Sequence, residues 1–292
     1  MLDDDDPIGM PEGLSRLVVG YDGSSSADAA AAFALWLTRK ARCATTLVHV
    51  TVSPSAAPSA DVLLAAADQI AADRKEWKRR LDNLREYASP EAAVDCRVVS
   101  GSAAGALIEV ANETAADLVM VGSHGVGRVR GALLGSVSSQ VLSHAPCSVM
   151  IFGEHARSVP AARARAVVVG IDGSPASRRA LQLAESIASA LTAGLVLVHA
   201  RDAHTTASRD GPRAMLQDGR SSIAAAVAGI EEELVEGDPR DALVAACERH
   251  APALLVVGRR GHGGFKGLLL GSTSRTLANR APCPVVVFHA SG

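Results

Sequence analysis

The sequence predicts an α/β protein made of two tandem domains, each a parallel sheet flanked by helices. Two observations carry this. The first is an internal repeat in one fixed order. RLVVGYDG at 16–23 returns as AVVVGIDG at 166–173, and LVMVGSHG at 118–125 as LLVVGRRG at 254–261. GALLGS at 131–136 returns as GLLLGS at 267–272, and APCSVMIF at 145–152 as APCPVVVF at 281–288. A period this long marks a duplicated domain and not a short-repeat solenoid. The second is alternation: short β-branched runs, suited to buried parallel strands, alternate with helical stretches, as in right-handed βαβ units. At 292 residues, the chain has length for two domains that each bury a core.

The elements of the first copy follow in order. Residues 17–21 form a strand, and Asp22-Gly23-Ser24 turns the chain. Ser24 to Ser26 offer capping oxygens for a helix over 27–42. Residues 45–52 form the second strand, and a Pro/Ser/Ala loop near 53–59 leads to a polar helix over 61–87. A strand at 95–100, a helix at 104–115 and a strand at 118–122 follow. A glycine-rich loop then opens a helix at 136–143, which Pro146 ends before a last strand at 148–152. The second copy repeats this from 166 to 288 with a shorter middle, and residues 203–219 read as loop. The expected boundaries are an acidic disordered tail at 1–13, a first domain at 14–153, a linker at 154–165 and a second domain at 166–290.

Composition narrows the function. Hydrophobic residues make up 48% of the chain and aromatics only 3%, so the core is aliphatic and stacking platforms for single-stranded nucleic acid are not expected. A formal net charge of -2 without a long basic run argues against nucleic acid as a partner. The five cysteines are scattered, as in reduced, buried thiols of a cytosolic protein. The start is acidic, unlike a secretory signal, and no apolar run approaches the roughly 18 residues of a membrane span. The expectation is a soluble, cytoplasmic protein with no membrane partner.

The chemistry lies in a repeated glycine spacing. Gly122, Gly125, Gly135 and Ser136 read G-x2-G-x9-G-S, and Gly258, Gly261, Gly271 and Ser272 repeat it. Glycines at strand ends let backbone amides approach a phosphate. Ser136 and Ser272 stand where helices begin, and there unpaired N–H groups and the helix dipole favour an anion. Two copies with one spacing argue for a phosphate cradle over a pair of tight turns, and valine at Gly122 or Gly258 is expected to cost binding while the domain survives. Asp22 and Asp172 follow the first strand of each copy, where ligands of open α/β sheets sit. An aspartate there can hold a ribose hydroxyl or a metal on the phosphates, or it can simply make the Asx turn that Asp-Gly-Ser favours. Gly20 and Gly170 lie beside the same place.

On these residues the chain resembles the universal stress protein family in its tandem, ATP-binding form. V-G-x-D-G-S, G-x2-G-x9-G-S and A-P-C with a closing apolar strand each occur twice, covering nearly the whole chain. The resemblance implies two Rossmann-like domains, each a five-stranded parallel sheet of order 3-2-1-4-5 with helices on both faces. It also implies ATP as ligand, with or without Mg. Backbone near Val50 and Ala200 would meet adenine, with Asp202 at that edge. Around the phosphates it places Ser123, His124, Gly127, Arg128 and Val137 in the first copy. In the second it places Arg259, Arg260, Gly263, Gly264, Thr273 and Ser274. It further implies pairing through the final strands, here within one chain as an intramolecular pseudo-dimer, with a homodimer of whole chains left open.

The copies differ in two respects: Ser123 is replaced by Arg259, so the two mouths should differ in charge, and the shorter second middle removes part of one wall. His49 and His199 read as packed, hydrogen-bonded histidines, and His124 and His262 as solvent-facing loop residues. Arg128, Arg130 and Lys266 either screen phosphate charge or form a solvated basic loop. The charged stretch over 68–87 reads as an exposed mixed-charge face. No metal cluster and no catalytic signature stands out; G-x4-G-K-[ST] is missing. A nucleotide-controlled regulatory protein with unidentified protein partners is therefore expected. A slow Mg-dependent ATPase or phosphotransferase, and a nucleotide-free scaffold, are the alternatives.

Overall fold

The structure, a computed structural model, describes residues 14–51, 60–88, 90–126, 134–153, 156, 166–201, 210–224, 227–259 and 271–289. The expected tail at 1–13 and most of the 154–165 linker lie outside them.

The first half runs β1 (Arg16–Gly20), α1 (Ser25–Ala41), β2 (Ala44–Thr51), α2 (Ala60–Arg85), β3 (Val94–Ser100), α3 (Ala103–Glu113), β4 (Leu118–Gly122), α4 (Ser136–His144) and β5 (Ser148–Phe152). The second runs β6 (Ala166–Gly170), α5 (Pro175–Ala190), β7 (Gly194–Arg201), α6 (Asp210–Ser221), β8 (Ile230–Glu236), α7 (Pro239–His250), β9 (Leu254–Gly258), α8 (Ser272–Arg280) and β10 (Val285–Phe288). Each half has the order 3-2-1-4-5, and the halves join into one ten-stranded sheet, β3-β2-β1-β4-β5-β10-β9-β6-β7-β8. Every pairing is parallel except the seam, where β5 and β10 run antiparallel with Met150 opposite Val286.

Successive strand residues point to opposite faces, so each strand feeds two cores. Leu17, Val19, Met120, Met150 and Val286 pack under α1, α2, α5 and α6. Val18, Val119, Val149, Ile151 and Val287 pack under α3, α4, α7 and α8. Both cores cross the seam, which explains why all five side chains of β5 are buried. Residues 14–153 expressed alone would leave that apolar edge open, and such edges pair with one another. The isolated first half should therefore sediment as a dimer at micromolar concentration. A strictly monomeric species would show that β5 does not need a partner strand.

One expectation is corrected. Residues 203–219 do not all form loop, since α6 begins at Asp210. Pro212 stands in the first turn, where a missing N–H costs nothing. Gly219 lets α6 sit close to the core: a Cβ there would lie 3.2 Å from Ile171 and 3.4 Å from Leu197.

The outer strands are guarded. On β3, the outward carbonyls of Val98 and Cys96 accept from Arg74 (2.9 Å) and Lys78 (2.9 Å) of α2. On β8, Ile230 O accepts from Arg220 of α6. Part of the charged face of α2 is thus spent on the sheet edge.

Candidate functional site

Helix starts differ in how they are closed. Ser24, Ser102, Ser174 and Asp238 cap α1, α3, α5 and α7 with a side-chain oxygen. Helices α4 and α8 instead begin at Gly135 and Gly271, with no side-chain cap. Their first N–H groups, four per helix, have no carbonyl within the helix to meet, and a glycine offers no oxygen.

In the first half, α4 begins at a cleft of about 390 Å³ over the carboxyl ends of β1 and β4. That is where the sheet order reverses and where open α/β sheets bind ligands. Gly20, Asp22, Val50, Gly122, His124 and Gly125 line it, together with Gly135, Ser136 and Val137. Sequence reasoning assigned all nine to one site, and the structure brings them together. It missed the apolar floor formed by Leu107, Val121 and Leu134, and it missed Tyr21. Tyr21, Val121 and Leu134 stand inside the repeated segments at positions that carry no phosphate chemistry, and Leu107 lies outside them, on α3. Gly127 and Arg128 lie outside the described residues, as do Arg130 and Lys266.

Asp22 makes the Asx turn and also reaches the glycine loop. Its Oδ1 accepts from Ser24 N (3.0 Å), and its Oδ2 from Val126 N (3.2 Å). Ser26 Oγ donates to His124 O (2.9 Å), holding the same loop from α1. Ser123 does not face the cleft. It is 1% exposed; its carbonyl takes Gly135 N (2.8 Å) and Ser138 Oγ (2.8 Å), and its hydroxyl pairs with His124 Nδ1 (3.1 Å). His124, expected in solvent, is half-buried in the cleft wall.

His49 is packed as expected, and it also lines the cleft. Its Nδ1 bonds Tyr21 O at 2.8 Å, and its ring stacks on Trp77 at 3.6 Å between centroids. Arg80 lies over the other aromatic partner of that stack, 4.7 Å from the Trp77 ring. Burial lowers the His49 pKa below its ordinary 6.5. The unfolded chain therefore takes up a proton first as pH falls, and stability should be full above about pH 6.5 and decline below it, levelling off at the lowered folded value. Melting curves across that window should show the decline, and His49→Gln should flatten it. An equally steep decline in the variant would place the titrating group elsewhere. Tyr21 stays a phenol at any ordinary pH, since burial and its bond to Asp28 push it up to about 12.

The second half places equivalent residues at the opposite end of the sheet, because its strands run the other way. Gly170 ends β6, Asp172 accepts from Ser174 N (3.0 Å), Ala200 lies on β7, and Gly258 ends β9. Ser272 and Thr273 open α8 after Gly271. His199 Nδ1 bonds Ile171 O at 2.7 Å, matching His49. Asp202, Arg260, Gly261, Gly263 and Gly264 lie outside the described residues, as does His262.

Three expectations change here. The Ser274 hydroxyl is buried and donates to Gly258 O (2.9 Å), so only its amide faces the helix start. Arg259 does not charge the mouth of the second site: it is 8% exposed and its guanidinium bonds Ser143 O of the first half and the His289 ring. Gly122 and Gly258 are packing glycines. A Cβ on Gly122 would lie 2.2 Å from Ser26 Oγ and 2.9 Å from Ser26 Cβ, and one on Gly258 would lie 3.1 Å from Ala176. Neither has a positive φ.

Among the described residues, no three His, Cys, Asp or Glu side chains gather to hold a metal, and no helix is long and apolar enough to cross a membrane. All five cysteines are free and buried.

The description "Universal stress protein family" matches residues 13–153 and again 164–289. A universal stress protein of Mycobacterium tuberculosis is 34% identical over 305 residues, covering 97% of this chain and 99% of its own. One of Mycobacterium bovis is 30% identical over 312 residues, covering 96% and 99%. Among solved structures, a universal stress protein from Archaeoglobus fulgidus shares the fold at 20% identity, with a TM-score of 0.70 and coverage of 95% and 99%.

Proposed function

The chain belongs to the universal stress protein family, and from that premise we propose that it is a cytoplasmic regulatory protein that binds ATP in both halves and changes its protein contacts with nucleotide occupancy. The observation that carries this reading is the pair of glycine-started helices. Where α1, α3, α5 and α7 close their first turns with Ser or Asp, α4 and α8 have no side-chain cap, so the amides of their first turns are open to a ligand. The cleft volume of about 390 Å³ suits a small organic ligand, and its apolar floor suits a base.

The residues fit a nucleotide by role. The amides of Ser136 and Val137, and of Ser272 and Thr273, would take phosphate oxygens, helped by the positive end of each helix. Asp22 and Asp172 would meet the ribose hydroxyls or a Mg ion carried by the phosphates. Val50 and Ala200 would flank the base. Phosphates bound at these places would satisfy backbone donors of α4 and α8, and an occupied cleft gives partners a different surface to read. The buried, free thiols agree with a reducing compartment.

Denaturing the purified protein after exposure to Mg-ATP and separating the released nucleotide by chromatography tests this. Two adenine nucleotides per chain are expected. None after saturation overturns the reading, and one shows that a single half binds. Phosphate release at background with bound ATP would separate a regulatory protein from a slow ATPase.

A further inference from the structure

The antiparallel seam sets the carboxyl ends of β9 and β10 beside the start of β5 and the last turn of α4. Arg259 stands at that junction. Its backbone belongs to the second site: its N–H donates to Phe288 O (3.0 Å), and its carbonyl accepts from Gly271 N (3.0 Å), the residue that starts α8. Its side chain leaves that half and donates to Ser143 O in the last turn of α4. The carbonyls of a last turn lack helical partners and carry the negative pole of the helix, so a guanidinium is well matched to them. Helix α4 has nine residues, so its other end lies about 13 Å away, and there Ser136 and Val137 line the first cleft.

One residue thus joins the start of α8 to the helix whose start faces the first cleft. Among the described residues, the first half shows no equivalent side-chain contact. Its equivalent residue, Ser123, keeps its hydroxyl on His124. Across the seam from α8, β5 is followed by Gly153, which has no side chain to offer; its Cβ position would be 3.7 Å from Ala281 O.

We propose that Arg259 couples the two nucleotide sites, so that filling the second tightens the first. This rests on the reading that both halves bind nucleotide. Phosphate held by the amides of α8 fixes Gly271, the Gly271 amide fixes the Arg259 carbonyl, and the fixed guanidinium holds the C-terminal end of α4. A held α4 loses less freedom when its own amides take phosphate, which is positive coupling without a change of shape. By linkage, filling the first site tightens the second equally.

The full chain with Trp36→Phe reports on the first cleft alone, since Trp77, the remaining indole, stacks on His49 in its wall. Ser272→Asp closes the second site by placing a carboxylate at the exposed start of α8. Titrated with Mg-ATP, this substitution should weaken the first cleft by about fivefold or more when Arg259 is present. In Arg259→Met, which keeps a long apolar stem and removes the donors, the same substitution should change affinity less than twofold. Equal weakening in both backgrounds, or none in either, overturns the coupling while leaving ATP binding in place. No ATP binding in any chain overturns the functional reading and the coupling together. A measurement with Arg259 intact guards against a variant that does not fold. With the first cleft closed by Ser136→Asp, Mg-ATP should slow amide hydrogen exchange over residues 140–144. Exchange there unchanged by ATP, with the second site filled, overturns the coupling.

Discussion

Ser136→Asp should empty the first cleft and leave the fold as stable as before. Ser136 is exposed and is the first residue of α4, after a glycine that offers no cap. A carboxylate there interacts favourably with the helix dipole, by about 0.3–1 kcal/mol, so the melting temperature should hold or rise slightly. The same carboxylate occupies the place proposed for phosphate. It competes for the amides of the first turn and repels the incoming charge, and each lost charge-assisted hydrogen bond costs about 1.5–3 kcal/mol. A loss of roughly 3 kcal/mol or more is a weakening of about a hundredfold. Calorimetry should then find one nucleotide per chain in place of two. Unchanged stoichiometry and affinity would remove α4 from the binding site. Rising stability with falling affinity is the useful signature, because a damaged fold cannot produce it.

Gly122→Val should instead damage the fold. The site of a Cβ on Gly122 is already taken by Ser26 Oγ at 2.2 Å and Ser26 Cβ at 2.9 Å, with the Ala27 amide at 3.2 Å. The hydroxyl can rotate away; the Cβ and the backbone cannot without moving the start of α1. Overpacking of this kind costs about 1–3 kcal/mol or more, and melting should fall by at least about 2 °C, toward about 10 °C at the upper cost. Gly258→Val meets Ala176 and Ser177 N at 3.1–3.2 Å and should do less harm. The contact can be tested as a pair, since Ser26→Gly removes both close atoms and should recover much of the stability lost in Gly122→Ala. If Gly122→Val melts with the parent, the strand end and α1 are not in the close contact described. Loss of nucleotide in this variant carries no information about the cradle, which is why the helix start is the better place to probe it.

The fold was legible where chemistry is local. The apolar runs of β4 and β5 have the bounds that their composition predicts, and four of the six described N-caps are the Ser or Asp residues that favour a helix start. Helix α6 was not legible, because Gly211, Pro212 and Gly219 are turn formers in isolation, and only the core beneath explains Gly219. The cleft residues carried by the repeated motif were found, whereas Leu107 of its apolar floor depends on α3 covering this part of the sheet. The direction of Arg259 was hidden for a deeper reason. It stands inside the motif, and its partner, Ser143, comes near only because β5 and β10 pair side by side in opposite directions.

The outer edges of the sheet have a consequence for assembly. A strand is a divalent unit for hydrogen bonding, and in this chain both inner valences, β5 and β10, are spent on each other. At the two outer valences, Arg74, Lys78 and Arg220 occupy carbonyls that another strand would need. They act as chain terminators: the sheet closes at ten strands instead of polymerising. Growth of the sheet from chain to chain is thereby disfavoured, and a contact made away from these edges can be made and broken without unzipping the sheet.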